Sequence, residues 1–236
     1  MAKKLTKILQ DYLMLNPKIE YKQLRRIQTD AGRQYVGEDN RPVPSVTTIL
    51  DKTSDKTALI AWRKRVGDEE ANRISKESAG LGTKVHNALE KHILGEELTF
   101  GNNQISVMAK RMTDLVINEG FKNVDEVWGT EIGLIAPELY AGTTDCVGIH
   151  DGDEAIIDFK TAKKIKKEEW IEDYFLQCCA YALAHNEMYG TNIRKGVILM
   201  VSRDFEFKEF VIEGARFDMY CQVWANRIEE YYRKCV

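Results

Sequence analysis

A short apolar run, Ala155–Phe159, ends in Asp158-Phe159-Lys160. It lies between a turn, His150-Asp151-Gly152-Asp153, and a stretch from Glu168 to Tyr189 with helical periodicity. Its length and composition predict a strand covered on both faces, as in parallel and mixed sheets. Alternate residues of a strand share a side, so Asp158 and Lys160 project together while Phe159 enters the core. Opposite charges at the end of a buried strand are costly unless paired or coordinated. The preceding strand-like segment, Leu139–Ile149, carries Asp145, and a hairpin can bring it alongside Asp158. Two carboxylates and an ammonium in one place suit a hard divalent ion with oxygen ligands. Such an ion can activate water against a phosphate. Two other acid-x-Lys tripeptides, Glu20-Tyr21-Lys22 and Glu206-Phe207-Lys208, lack this context and read as solvated strand faces.

The remaining pattern predicts helices first and a sheet after them. Leu5–Leu15 has helical spacing and stops at Asn16-Pro17. Residues 20–45 read as short strands and turns, Ser45 opens the segment SVTTIL, and a helix follows around Ala58–Val66. Asp68–Leu94 reads as helical with a break at Gly80 and Gly82, and Ser106–Asn118 as a further helix. Strands are then expected at Glu126–Ile135, Leu139–Ile149, Ala155–Phe159, Gly196–Val201 and Glu206–Ile212. Helices are expected at Glu168–Tyr189 and Ala215–Arg233. The class implied is α/β, more narrowly α+β, with a mixed sheet flanked by helices. The expected organisation is one domain over 1–236. Its first 120 residues would be mainly helical, and 121–236 would form the αβ core.

Composition narrows the partners. The 34 Lys and Arg residues against 37 Asp and Glu give a net charge of −3, which argues against nucleic-acid binding through bulk charge but leaves a local basic track open. No run approaches the ~18 apolar residues of a membrane span. Met1–Lys18 carries Asp11 and no arginine, a poor transit peptide. The cysteines, Cys146, Cys178, Cys179, Cys221 and Cys235, are odd in number and contain no CxxC pair. A disulfide framework or zinc ribbon is therefore not expected, and a reducing compartment is.

Four features occur in chain order: His86 on a helix, Asp145, Asp158-Phe159-Lys160, and Gln177-Cys178-Cys179-Ala180-Tyr181. This series resembles the PD-(D/E)XK nuclease superfamily in its RecB-like branch. Finer features are Pro44–Leu50, Trp62, Gly142, Gly196-Val197-Ile198 and the helix bearing Trp224, Arg227 and Tyr231. These are similar to the mitochondrial genome maintenance exonucleases and their viral and bacterial relatives, over roughly residues 40–235. No proline precedes Asp145, a departure from the superfamily name.

The resemblance implies a restriction-endonuclease-like core with a helical N-terminal elaboration. It implies metal ligation by His86, Asp145, Asp158 and the backbone carbonyl of Phe159, with Glu131 a candidate further ligand. Lys160 would be the catalytic lysine, and Gln177 and Tyr181, four apart on one helix face, would lie beside the scissile phosphate. Glu90, one turn from His86, would orient the imidazole or stand in solvent. Some relatives hold an iron–sulfur cluster on four thiolates. This chain has no cysteine before Cys146, so no cluster is expected. The cofactor expected is Mg2+ or Mn2+, one or two ions.

Lys160, Lys163, Lys164, Lys166 and Lys167 form one cationic cluster, and Arg63, Lys64, Arg65 and Lys84 another. Thr161 is a candidate phosphate-contacting hydroxyl. Trp62, Trp170 and Tyr174 could stack bases or belong to the core. The expected activity is a metal-dependent deoxyribonuclease acting on single-stranded DNA ends, with the helices before residue 100 arched over the site. A double-strand-resecting or structure-specific endonuclease and a catalytically silent DNA-binding module remain alternatives. Replication or recombination proteins are candidate partners. The expected location is the cytoplasm of a bacterial or virus-infected cell.

Overall fold

The computed structural model describes residues 15–30, 32–37 and 40–235. The helix expected at Leu5–Leu15 falls outside them except for Leu15, which bridges to Val127. The first strands are β1 (Arg25–Thr29), β2 (Gly32–Val36) and β3 (Pro42–Pro44), an antiparallel sheet in that order. Four helices follow: α1 (Val46–Thr53), α2 (Thr57–Val66), α3 (Asp68–Ile93) and α4 (Gln104–Glu119). The SVTTIL segment opens a helix despite its β-branched residues. Ser45 Oγ accepts from the Thr48 amide at 3.0 Å, an N-cap that satisfies one of the open donors of the first turn.

Residues 68–93 form one helix without the break expected at Gly80 and Gly82. Its acids fall in the first turn (Asp68, Glu69, Glu70) and its cations in the last (Lys91, His92), in the sense the helix dipole favours. Leu81, Val85, Leu89 and Ile93 form its buried stripe. These contacts outweigh the helix penalty of two glycines, ~1 kcal/mol each. Gly82 serves the packing: a Cβ there would stand 3.2 Å from Thr161 Oγ1.

The main sheet comprises β4 (Val124–Ala136), β5 (Tyr140–His150), β6 (Asp153–Ala162), β7 (Lys195–Ser202) and β8 (Phe207–Glu213), in that spatial order. All neighbours are antiparallel except β6 and β7, which run parallel. A parallel pair needs a crossover, here supplied by α5 (Glu172–Tyr189). The chain ends in α6 (Gly214–Cys235).

Strand alternation divides the core. Ile156, Ile198 and Met200 face one cluster with α5 residues Phe175 and Leu176 and α6 residue Trp224. Ile157, Phe159 and Leu199 face a second cluster with Leu81, Val85 and Leu89 of α3 and Met112 and Val116 of α4. The N-terminal helices α3 and α4 therefore cover the second face of the sheet, giving a mixed α/β architecture. By contrast, α2 buries none of its residues. Among the described residues no helix is long and apolar enough to cross a membrane.

Candidate active site

The pairing of β5 with β6 stops at Cys146↔Ile157, whereas β6 continues beside β7 to Ala162↔Ser202. The C-terminal end of β6 is thus open on one edge. Asp145, the residue beside the last pair, closes the gap: its Oδ2 accepts from the Phe159 amide at 2.8 Å. In an extended strand the N–H and C=O of one residue point to the same edge, so the Phe159 carbonyl faces this gap as well.

His86 reaches the gap from α3. Its Nδ1 lies 3.3 Å from Asp145 Oδ1, and its ring packs edge-on to Phe159 with centroids 6.0 Å apart. One ligand atom each from His86, Glu131 and Asp145 lies within 4.8 Å of the others. Glu131 occupies β4 with a φ of 52°, inside a strand. An L residue with a side chain pays ~1–3 kcal/mol for such a conformation, and such residues gather at functional sites.

The other half of the site hangs on α5. Asp158 is buried to 1% exposure, with Oδ2 2.5 Å from Lys160 Nζ. Lys160 Nζ donates to Gln177 Oε1 at 3.0 Å, and Gln177 Nε2 donates to Tyr181 Oη at 3.1 Å. The ammonium fixes the amide orientation, because only Oε1 can accept from it. Tyr181 can lie against β5 because residue 142 is glycine. A Cβ there would be 2.6 Å from Tyr181 Cε1 and 3.0 Å from its hydroxyl.

Charge and burial set the protonation states. Burial lifts the Asp158 carboxyl to about 6; Lys160 opposes the shift and Asp145 adds to it. Burial, then the charges of Asp145 and Glu90, lift Glu131 to about 7. Burial also acts against ionised Asp145. His86, Lys160 and the Phe159 amide outweigh it and hold that carboxyl below its usual range. His86 is held above the ordinary imidazole value, because Asp145 outweighs its desolvation. Lys160 is likewise raised against its burial by Asp158 and Asp145, so it is an ammonium at neutral pH.

The structure gathers Asp145, Asp158, the Phe159 carbonyl, Lys160, Gln177, Tyr181, His86 and Glu131 around one strand end. Within this group Asp158 leans to Lys160, while Glu131 joins His86 and Asp145. No His86–Glu90 hydrogen bond is present among the described residues, and Glu90 acts on Glu131 through its charge. The cationic residues divide. Lys163 and Lys164 are exposed just past β6, and Lys84 is exposed on α3. Arg63 is held by Asp68 at 2.8 Å and Asn72 at 3.0 Å. Trp62 is half-buried on α2. Tyr174 lies under Lys160, with Nζ 4.8 Å from its ring centroid, and its hydroxyl accepts from Lys166 at 2.6 Å. Trp170 stands 65% exposed.

Sequence reasoning missed two cations. Arg26 of β1 sets its charge against that of Glu131, and Arg203 follows β7 at the same end of the sheet as Lys163. Arg203 owes its place to the parallel β6–β7 pairing, since ligand sites in such sheets collect at the carboxyl ends of the strands.

An imidazole, carboxylates and an inward-facing carbonyl are donors that could hold a divalent metal, and a buried ammonium beside them suits a phosphate. Fold and site together resemble the PD-(D/E)XK nucleases. No family model matches the chain. It is similar to human mitochondrial genome maintenance exonuclease 1, 27% identical over 206 residues, covering 81% of this chain and 59% of that protein. The Xenopus tropicalis protein of the same name is 26% identical over 215 residues, covering 83% of this chain and 59% of its own length. The chain thus spans 59% of the length of these relatives. Among solved structures, a provisionally named exonuclease from Eubacterium rectale superposes with a TM-score of 0.49 at 16% identity, over 67% of this chain and 65% of that one.

Proposed function

We propose that the chain is a Mg2+- or Mn2+-dependent exonuclease that hydrolyses phosphodiester bonds at single-stranded DNA ends. The observation that carries this reading is the meeting of the His86, Glu131 and Asp145 ligand atoms, within 4.8 Å of one another, beside the Asp158–Lys160–Gln177–Tyr181 chain. The similarity to two proteins named as exonucleases supports it.

The donor set fits a hard or borderline ion: carboxylates and a carbonyl suit Mg2+ and Mn2+, and the imidazole inclines the set toward Mn2+. His86, Glu131, Asp145, Asp158 and the Phe159 carbonyl would hold it. When bound, the ion supplies charge neutralisation on the phosphate and acidifies water. Lys160 enters as an ammonium and so cannot accept the water's proton. It donates to a non-bridging phosphate oxygen or to the attacking water, and gives most where negative charge grows in the transition state. Gln177 aims Lys160, and Tyr181 holds Gln177. Asp145 fixes the His86 ring and, through the Phe159 amide, the strand end itself.

Purified protein with Mn2+ is expected to shorten end-labelled single-stranded oligonucleotides and to leave circular single-stranded DNA intact. Lys160→Ala is expected to lose at least 100-fold in rate. An uncut linear substrate, or equal rates for wild type and Lys160→Ala, overturns the reading. A cut circle replaces exonuclease with endonuclease.

A further inference from the structure

Beyond the strand end lies a cleft of about 300 Å³ between α3 and the ends of β6 and β7. Ser78, Thr161, Lys163, Lys164, Lys166 and Arg203 supply its polar wall, and no acid lines it. The sheet creates it: Ala162 pairs with Ser202, so the residues that follow, Lys163 and Arg203, emerge side by side. Arg203 is anchored twice. Its amide donates to Ala162 O at 3.0 Å, and its guanidinium donates to Ser78 Oγ at 2.9 Å. Among the described residues Lys163, Lys164 and Arg203 have no carboxylate partner. The chain has more acids than bases, and Arg63 and Arg73 on the N-terminal helices are both ion-paired.

Two lysines without a carboxylate partner, the fixed guanidinium of Arg203 and two hydroxyls suit a phosphate diester. The fork of Arg203 pairs with two oxygens and the lysines act as point charges. The cleft is not the reacting position. Ala162 lies two residues beyond Lys160 along the strand, a rise of roughly 7 Å. We propose that this cleft seats a non-scissile phosphate of the substrate strand, with Arg203 as its positioning residue. The strand then runs from Lys160 along the end of β6 toward α3. The assignment rests on the nuclease reading and adds the direction in which the strand leaves the site.

The test measures binding of a labelled twelve-nucleotide oligothymidylate to Lys160→Ala protein, with and without Arg203→Ala, across a salt series. Loss of one phosphate contact is expected to weaken binding about tenfold and to flatten the log affinity against log salt slope by about 0.7. Arg203→Lys, which keeps the charge, is expected to restore the slope. Melting curves identify any variant that fails to fold, and Lys163→Ala with Lys164→Ala then reports on the same seat without touching the Ser78 anchor. An unchanged slope in both the Arg203 and the lysine variants overturns the seat while wild-type cutting stands. Weaker binding with an unchanged slope also overturns it, since a structural role predicts that result. An oligonucleotide left whole by the wild-type protein overturns the nuclease reading itself.

Discussion

Replacing Gly142 with alanine tests whether the path from β5 to Lys160 is mechanically continuous. The new Cβ would lie 2.6 Å from Tyr181 Cε1, whereas carbon atoms pack at about 3.5–4.0 Å. The ring must therefore retreat by about 1 Å. It has little room: Tyr181 is 2% exposed, and the helix that carries it is packed on the sheet. Overpacking of this kind costs ~1–3 kcal/mol. In a protein of this size that corresponds to a fall in Tm of roughly 3–10 °C. A retreat of about 1 Å also carries the hydroxyl away from Gln177 Nε2, now at 3.1 Å, and releases the amide that aims Lys160. A misplacement on that scale costs up to ~100-fold in rate.

The assay pairs thermal unfolding with turnover of a single-stranded oligonucleotide, and places Gly142→Ala in two backgrounds. With Tyr181→Leu the clashing atoms are gone, so the alanine is expected to cost under ~0.5 kcal/mol, leaving a coupling of ~1–2 kcal/mol between the two positions. A Gly142→Ala protein that melts like wild type, or an alanine cost that is the same with Tyr and with Leu at 181, refutes the coupling.

Three other outcomes follow from the protonation states and strain. Glu131 near 7 and the raised His86 keep protons in the folded protein that the unfolded chain has released, so metal-free stability is expected to fall as pH rises from 6.5 to 8. Below that window Glu131 and Asp158, the latter raised to about 6, act in the same sense, and buried His185, lowered to about 4, opposes them. Unfolding curves should show the decline, Mn2+ should remove it and Glu131→Gln should flatten it; a flat metal-free profile contradicts the scheme. Calorimetric Mn2+ affinity is expected to climb through pH 6–7, as Asp158 near 6 and Glu131 near 7 give up their protons, and to level off above 8; pH-independent binding would show that these acids are not ligands. Glu131→Gly relieves a φ of 52° and is expected to raise metal-free stability by ~1 kcal/mol while weakening Mn2+ binding; equal or lower stability by denaturant titration would mean that the backbone there is unstrained.

Much of the fold could be read from the chain because hydrophobic period and breakers agree in its second half. The run Ala155–Phe159 is buried on both faces as its composition requires, and the turn at 150–153 joins β5 to β6. The misreadings have local causes. Gly80 and Gly82 look like a break because propensity penalises glycine in a helix, but the stripe from Leu81 to Ile93 is held by the sheet. The site was legible where side-chain period settles direction, as for Asp158 with Lys160 and Gln177 with Tyr181. It was less legible at Glu131, whose left-handed backbone no periodic rule anticipates. Arg203 escaped notice because its place depends on β7 running parallel to β6, a tertiary fact.

A net charge of −3 is compatible with a polyanionic substrate only if the charges are sorted by place, and the sorting follows from the sheet. The acids converge because β5 and β6 part at Cys146↔Ile157, so Asp145, Glu131 and Asp158 face one gap with a single ammonium among them. The cations gather one step further on, because the parallel β6–β7 pair sends both chains out at the same end beside the first half of α3. Strand pairing that stops on one side and continues on the other thus makes two neighbouring environments, one suited to a metal and one to a phosphate. Exchanging Lys163 and Lys164 for glutamate would leave the fold's buried contacts untouched and place acids on both sides of that boundary. If sorting rather than total charge governs binding, the same two substitutions at exposed Lys76 and Lys110 should alter oligonucleotide affinity far less at equal net charge.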